Sequence, residues 1–142
     1  MHGLGNDFVI IDNRRDLVTI NESLIKKLSD RKSGAGCDQL ITINKSLGNE
    51  DVKIKIFNPS GDSAEACGNG TRCVAKILFE ENNEKETLKI LSDAGTLIAK
   101  KAGDEISVNM GKMTSDWKKI PLSEEMDPLN IPIIVEGFDT GV

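Results

Sequence analysis

The sequence has no long apolar run, a single histidine, no paired metal-ligand spacing and no cluster of basic residues, and each absence removes a class of function. A membrane-crossing helix needs about 20 consecutive apolar residues. The N-terminus also lacks the basic-then-apolar order of a secretion signal. The expectation is a cytoplasmic chain with no membrane partner. Lysines and arginines are interleaved with acids, as in Glu84-Lys85-Glu86, and the formal net charge is -5, which excludes nucleic acid as a partner. Cys37, Cys67 and Cys73 are odd in number and form no Cys-x-x-Cys pair, and His2 stands alone at the terminus. Neither a disulfide framework nor a zinc site is expected from such spacing. A cysteine–histidine hydrolase lacks its base for the same reason.

What is present is the composition of one globular domain: 142 residues, 38% hydrophobic, 29% charged and only 4% aromatic. Phe8–Asp12, Leu40–Ile43 and Val52–Phe57 read as strands, the last alternating apolar with basic residues. Leu24, Ile25 and Leu28 are spaced for a helix over 21–31, with Thr19 and Glu22 as its capping box. From Thr71 the period changes. Cys73, Val74, Ile77 and Leu78 form an apolar stripe while Arg72, Lys76 and Glu80 face away, a helix that stops at Glu81-Asn82-Asn83. Leu88–Leu91, Thr96–Ala99 and Glu105–Asn109 predict a strand meander, 112–130 an irregular connection, and Ile131–Glu136 a final strand. The fold class is α+β, with about seven strands and two helices.

Three loops rich in Gly and Asn carry the candidate chemistry: Gly3-Leu4-Gly5-Asn6-Asp7, Gly34 to Gln39, and Asn58 to Gly70. Their amide side chains both donate and accept, which suits a small ligand bearing ammonium and carboxylate groups. The same residues also suit ordinary turns. Cys67 has the most distinctive setting, ahead of Gly68-Asn69-Gly70 at the start of a helix. Free N–H groups and the helix dipole there favour a thiolate and can hold a carboxylate beside it. Residue types alone leave a buried, inert cysteine open. Cys73 falls on the apolar stripe and is expected in the core. Cys37 is expected to be structural, and His2 exposed or in a turn.

The segments HGLGNDFVIID, DRKSGAGCDQLI and NPSGDSAEACGNGTRCVA, in that order over residues 2–77, closely resemble the N-terminal half of the diaminopimelate epimerase family. The resemblance implies a cofactor-independent isomerase of lysine and peptidoglycan-precursor biosynthesis, interconverting LL- and meso-diaminopimelate. It implies a fold of two similar domains, each a barrel-like β-sheet wrapped round a central helix, with one cysteine from each on opposite faces of the substrate Cα. Cys67 matches the first catalytic cysteine. Gly68 and Asn69 match contacts to the α-carboxylate, and Asn6, Gln39 and Asn58 match substrate-binding positions. Asn58-Pro59-Ser60-Gly61-Asp62 departs from the commoner Asn-Ala-Asp-Gly-Ser. No second glycine-flanked cysteine, Asn-Pro-His or Glu-Arg motif follows. Residues 1–142 are therefore expected to form a single N-terminal domain, a fragment whose partners would be diaminopimelate and the absent C-terminal domain, with a homodimer left open. A catalytically silent amino-acid-binding module and a proline racemase-like relative are the alternative readings.

Overall fold

The computed structural model describes residues 1–120 and 122–132. Contacts divide the chain into two compact units, Met1–Met110 and Gly111–Val142. The first unit contains two helices, α1 (Glu22–Ser29) and α2 (Gly68–Glu81), and eight strands in one sheet. The strands are β1 (His2–Gly3), β2 (Asn6–Asp12), β3 (Gln39–Asn44), β4 (Val52–Phe57), β5 (Ser63–Ala64), β6 (Thr87–Ser92), β7 (Gly95–Ala102) and β8 (Glu105–Asn109).

Strand order is β1-β2-β3-β4-β6-β7-β8, with β5 set beside β4. β2 pairs β3 in parallel across α1, and β4 pairs β6 in parallel across α2. Parallel neighbours require such crossovers because a tight turn can only reverse the chain. The remaining pairs are antiparallel. β1 and β8 are the two ends of the path, yet α2 touches both, together with β2 and β7. The sheet therefore curls round α2, which gives the half-barrel with a central helix that the sequence led us to expect.

The side-chain period of two explains how one sheet serves both helices. Phe8 of β2, Ile41 and Ile43 of β3, and Val52, Ile54 and Ile56 of β4 point inward to join Cys73, Val74, Leu78 and Phe79 of α2 in the main core. Val9, Ile11, Leu40 and Phe57 point outward to a second cluster built on Ile25 and Leu28 of α1. β3 is buried on both faces, which is why its four central residues lack a solvent-facing polar alternation. At the end of α2, the Arg14 guanidinium grips Glu81 through two bonds of 2.7 and 2.8 Å while also bonding Asp12, so β2 and α2 are tied together there.

Three sequence expectations change. α2 begins at Gly68, three residues before Thr71, because the Gly-Asn-Gly segment, which propensity disfavours, is pinned by packing. The cap of α1 is Asn21, whose Oδ1 accepts from Leu24 N–H at 2.9 Å; Thr19 plays no such part and Glu22 pairs with Lys26 instead. α1 also stops at Ser29 rather than 31. Within the second unit the residues described carry one turn of 3-10 helix, Trp117–Lys119, capped by Asp116. Of the expected strand Ile131–Glu136, Ile131 and Pro132 have no strand structure, and 133–136 lie outside the described residues.

Candidate active site

Topology gathers the predicted site residues at one end of the sheet. β2 and β3 run parallel, so their first residues, Asn6 and Gln39, share an end. β4 is antiparallel to β3, so the residue following it, Asn58, arrives at that same end. α2 starts with Gly68 and Asn69, and Gly3 of β1 lies against Asn69. Asn6 is placed by a two-residue turn in which Leu4 and Gly5 have φ of 55° and 86°. Such mirror-image turns fit the twist of a hairpin and normally take Gly or Asn at both positions. An exposed leucine there costs about 1–2 kcal/mol.

Cys67 is itself the N-cap of α2, with extended backbone. Its carbonyl accepts the first helical bond from Thr71 N–H at 2.9 Å, and its Sγ accepts from Gly70 N–H at 3.4 Å. Gly68 and Asn69 N–H, the other orphan donors of the first turn, point out of the helix start. Gly70 cannot be replaced freely. A Cβ at that position would stand 2.5 Å from Ile41 Cδ1 and 3.3 Å from Phe8. The absent side chain lets α2 sit close enough to the sheet for the sulfur to reach Asn6, whose Oδ1 accepts from the thiol at 3.7 Å.

Two short relays hold the amides. In the first, Asn6 Nδ2 donates to Asp38 Oδ2 at 3.1 Å, and Asp38 is bound to Arg31 at 2.8 Å and to Asp7 N–H at 3.0 Å. Arg31 also clasps the Asp7 carboxylate through bonds of 2.8 and 2.9 Å. In the second, Gln39 Nε2 donates to Asn58 Oδ1 at 3.1 Å and Asn58 Nδ2 donates to Asp62 Oδ2 at 2.6 Å. All three carboxyls lie below the usual range. The Arg31 guanidinium does this for Asp7, the Asp7 N–H and then the Asn6 amide for Asp38, and the Ser60 hydroxyl and then the Asn58 amide for Asp62. Each is therefore an acceptor only, and Asp38 and Asp62 fix which way the amides of Asn6 and Asn58 point.

The structure thus brings Cys67, Asn6, Gly68 and Asn69 together, and joins Gln39 to Asn58 beside them. It adds residues that sequence reasoning passed over. Asp38, Arg31 and Asp62 are the anchors of the relays. Arg72, expected to face away from the apolar stripe of its helix, donates from Nη2 to Asn69 Oδ1. Asp38 had a signal, since it directly precedes Gln39; the others needed the fold. Cys73 is in the core, and burial raises its thiol. Cys37 is buried against α1, its thiol donating to Ser29 at 3.5 Å, as its structural reading implied. A cavity of about 560 Å³ opens elsewhere, over α2 between β1 and β8, and is lined by none of the predicted site residues. Among the described residues no group of three His, Cys, Asp or Glu side chains is placed to hold a metal ion, and no helix is long and apolar enough to cross a membrane.

The chain is 40% identical over 138 residues to a diaminopimelate epimerase of Zymomonas mobilis, covering 97% of this chain and 49% of that protein. It is 42% identical over 134 residues to a diaminopimelate epimerase of Gluconobacter oxydans, covering 94% and 50% respectively. The chain spans about half the length of the curated relatives it matches. Among solved structures, a PhzF-family phenazine biosynthesis protein of Bacillus anthracis superposes with a TM-score of 0.54 at 22% identity, over 73% of this chain and 33% of that one. A methylitaconate-delta-isomerase superposes with a TM-score of 0.54 at 17% identity, over 78% and 61%. Those two likenesses establish the fold alone. The model of the diaminopimelate epimerase family matches residues 1–115, and the chain belongs to that family.

Proposed function

We propose that this chain supplies one half of a diaminopimelate epimerase site, with Cys67 as the group that takes or returns the α-proton. The observation that carries the reading is the position of Cys67 as the cap of α2, beside the outward N–H groups of Gly68 and Asn69. An α-carboxylate held on those amides brings its Cα next to the sulfur, and the helix end steadies both negative charges. The amides of Asn6, Gln39 and Asn58 offer donors and acceptors for the rest of an amino-acid substrate.

An α-proton of an amino acid is weakly acidic, and inversion without a cofactor needs a base on one face and an acid on the other. This chain has one glycine-flanked cysteine at a helix start. The opposing thiol belongs, in this reading, to the other half of the length seen in the relatives. Closing the two halves would also exclude water from the reacting carbon. The reaction is that of lysine and peptidoglycan-precursor biosynthesis, and it needs no cofactor.

The test is exchange of the α-proton of LL-diaminopimelate in D2O, followed by NMR. Residues 1–142 alone should give no exchange. Adding the separately expressed second half of a relative should restore it, and Cys67→Ala should abolish it. Turnover by residues 1–142 alone would overturn the two-half reading, and turnover that survives Cys67→Ala would overturn the role of the cysteine.

A further inference from the structure

Asn6 can offer Cys67 either end of its amide, and the ends have opposite effects. An NH2 group facing the sulfur would steady a thiolate, whereas a carbonyl oxygen favours the protonated thiol. The fold decides between them at a distance. Asp38 Oδ2 lies 3.1 Å from Asn6 Nδ2, and a carboxylate only accepts, so the NH2 end must face Asp38. The carbonyl is left toward Sγ at 3.7 Å. Asp38 in turn cannot swing away. Its Oδ1 is bound to Arg31, its Oδ2 to Asp7 N–H, and its own N–H donates to Asp7 Oδ1 at 2.7 Å.

We infer that Asp38 is a positioning residue that holds the Asn6 amide with its carbonyl toward Cys67 and so favours the protonated sulfur. Gly70 N–H and the start of α2 pull the other way, toward the thiolate. The two influences oppose each other on one atom, which suits a group that must act as acid in one direction of a reversible proton transfer and as base in the other. The remaining ionisable groups on the elements that carry or abut the sulfur are Glu65, Arg72, Cys73, Lys76, Glu80 and Glu81 on its own segment, His2 on β1, Asp7 and Asp12 on β2, Lys100 and Lys101 on β7, and Glu105 on β8. None of them contacts the Asn6 carbonyl in place of Cys67.

The inference rests on reading Cys67 as a proton carrier only for its consequence, and its test reads thiol reactivity instead of turnover. The rate of iodoacetamide alkylation of residues 1–142 is measured against pH, with the modified residue located by peptide mass mapping; Cys37 and Cys73 are buried. In Asp38→Ala the Asn6 NH2 loses its acceptor, so the amide is free to turn over and present that NH2 to the thiolate. The midpoint should fall, and the rate at neutral pH should rise about threefold to tenfold, the worth of one hydrogen bond. Asn6→Ala should shift the midpoint in the same direction, and adding Asp38→Ala to it should change nothing more. An unchanged or raised midpoint in Asp38→Ala, or an equal shift with and without Asn6, would overturn the inference. Should Asp38→Ala fail to fold, Asn6→Ala decides alone, since an unchanged or raised midpoint there refutes it. Shifted midpoints without exchange in the two-half assay would sink the proposed function and leave this inference standing.

Discussion

The two helices of this protein begin in different ways. α1 starts on Asn21, whose oxygen accepts from Leu24 N–H at 2.9 Å, with Glu22 in its first turn. That is a start satisfied from within: a strong cap and a negative charge against the positive helix end. α2 starts on Cys67, a weak sulfur acceptor at 3.4 Å, and its first turn holds two glycines, an asparagine and no acid. By local propensity it is the poorer helix start. It forms because the rest of α2 is buried in the core of a sheet that curls round it. The lesson is that a helix end left unsatisfied by its own sequence, and held in place by tertiary packing, is free to bind something else.

The comparison can be broken most directly at Cys67. With the complementary half present, Cys67→Ala should lower proton exchange by about 10²- to 10⁴-fold, the range for losing a positioned acid or base. The same change should cost well under the ~1 kcal/mol expected of a true cap. If denaturant unfolding showed a loss comparable with that from Asn21→Ala, the α2 start would be an ordinary structural cap. A second contrast lies between neighbouring glycines. Gly70→Ala drives a methyl into Ile41 and should destabilise by about 1–3 kcal/mol in urea titration. At Gly68 a Cβ would meet Met110 Sδ at 3.5 Å, ordinary contact, so Gly68→Ala should leave stability within ~0.5 kcal/mol. Its effect should fall instead on ligand affinity, measured by calorimetry with diaminopimelate.

The cap itself can be exchanged. Cys67→Ser places a better acceptor on Gly70 N–H and should hold or raise stability by up to ~1 kcal/mol while exchange is lost. An unstable Cys67→Ser would mean that the sulfur is needed for folding. The smallest effect concerns pH. Asp38, Asp7 and Asp62 titrate below their unfolded values, so the stability they add is present above about pH 4 and fades as pH falls through their folded values. The groups are exposed, so the slope should be shallow. In thermal melts between about pH 5 and 3, Asp38→Asn should flatten it further.

Much of this was legible in the chain. Alternation in Val52–Phe57, the stripe Cys73–Leu78 and the Asp93-Ala94-Gly95 turn all reflect interactions within a few residues, and each became the element expected. The start of α2 was misplaced because glycine and asparagine vote locally against a helix. Only the burial of Gly70 against Ile41 overrides them. Arg72 was assigned outward by period, and from there its long side chain reaches one turn back along its own helix to Asn69, a contact that the period alone does not show. Arg31 and Asp7 are 24 residues apart, and no local rule pairs them.

The sequence by itself determined that a cysteine would stand among glycines at the beginning of an amphipathic helix, because composition and period are local properties. Which atom that sulfur faces was decided only by the tertiary structure. The parallel register of β2 and β3 brings Asn6 and Asp38 to one sheet end, and a carboxylate that can only accept then turns the amide carbonyl toward Cys67.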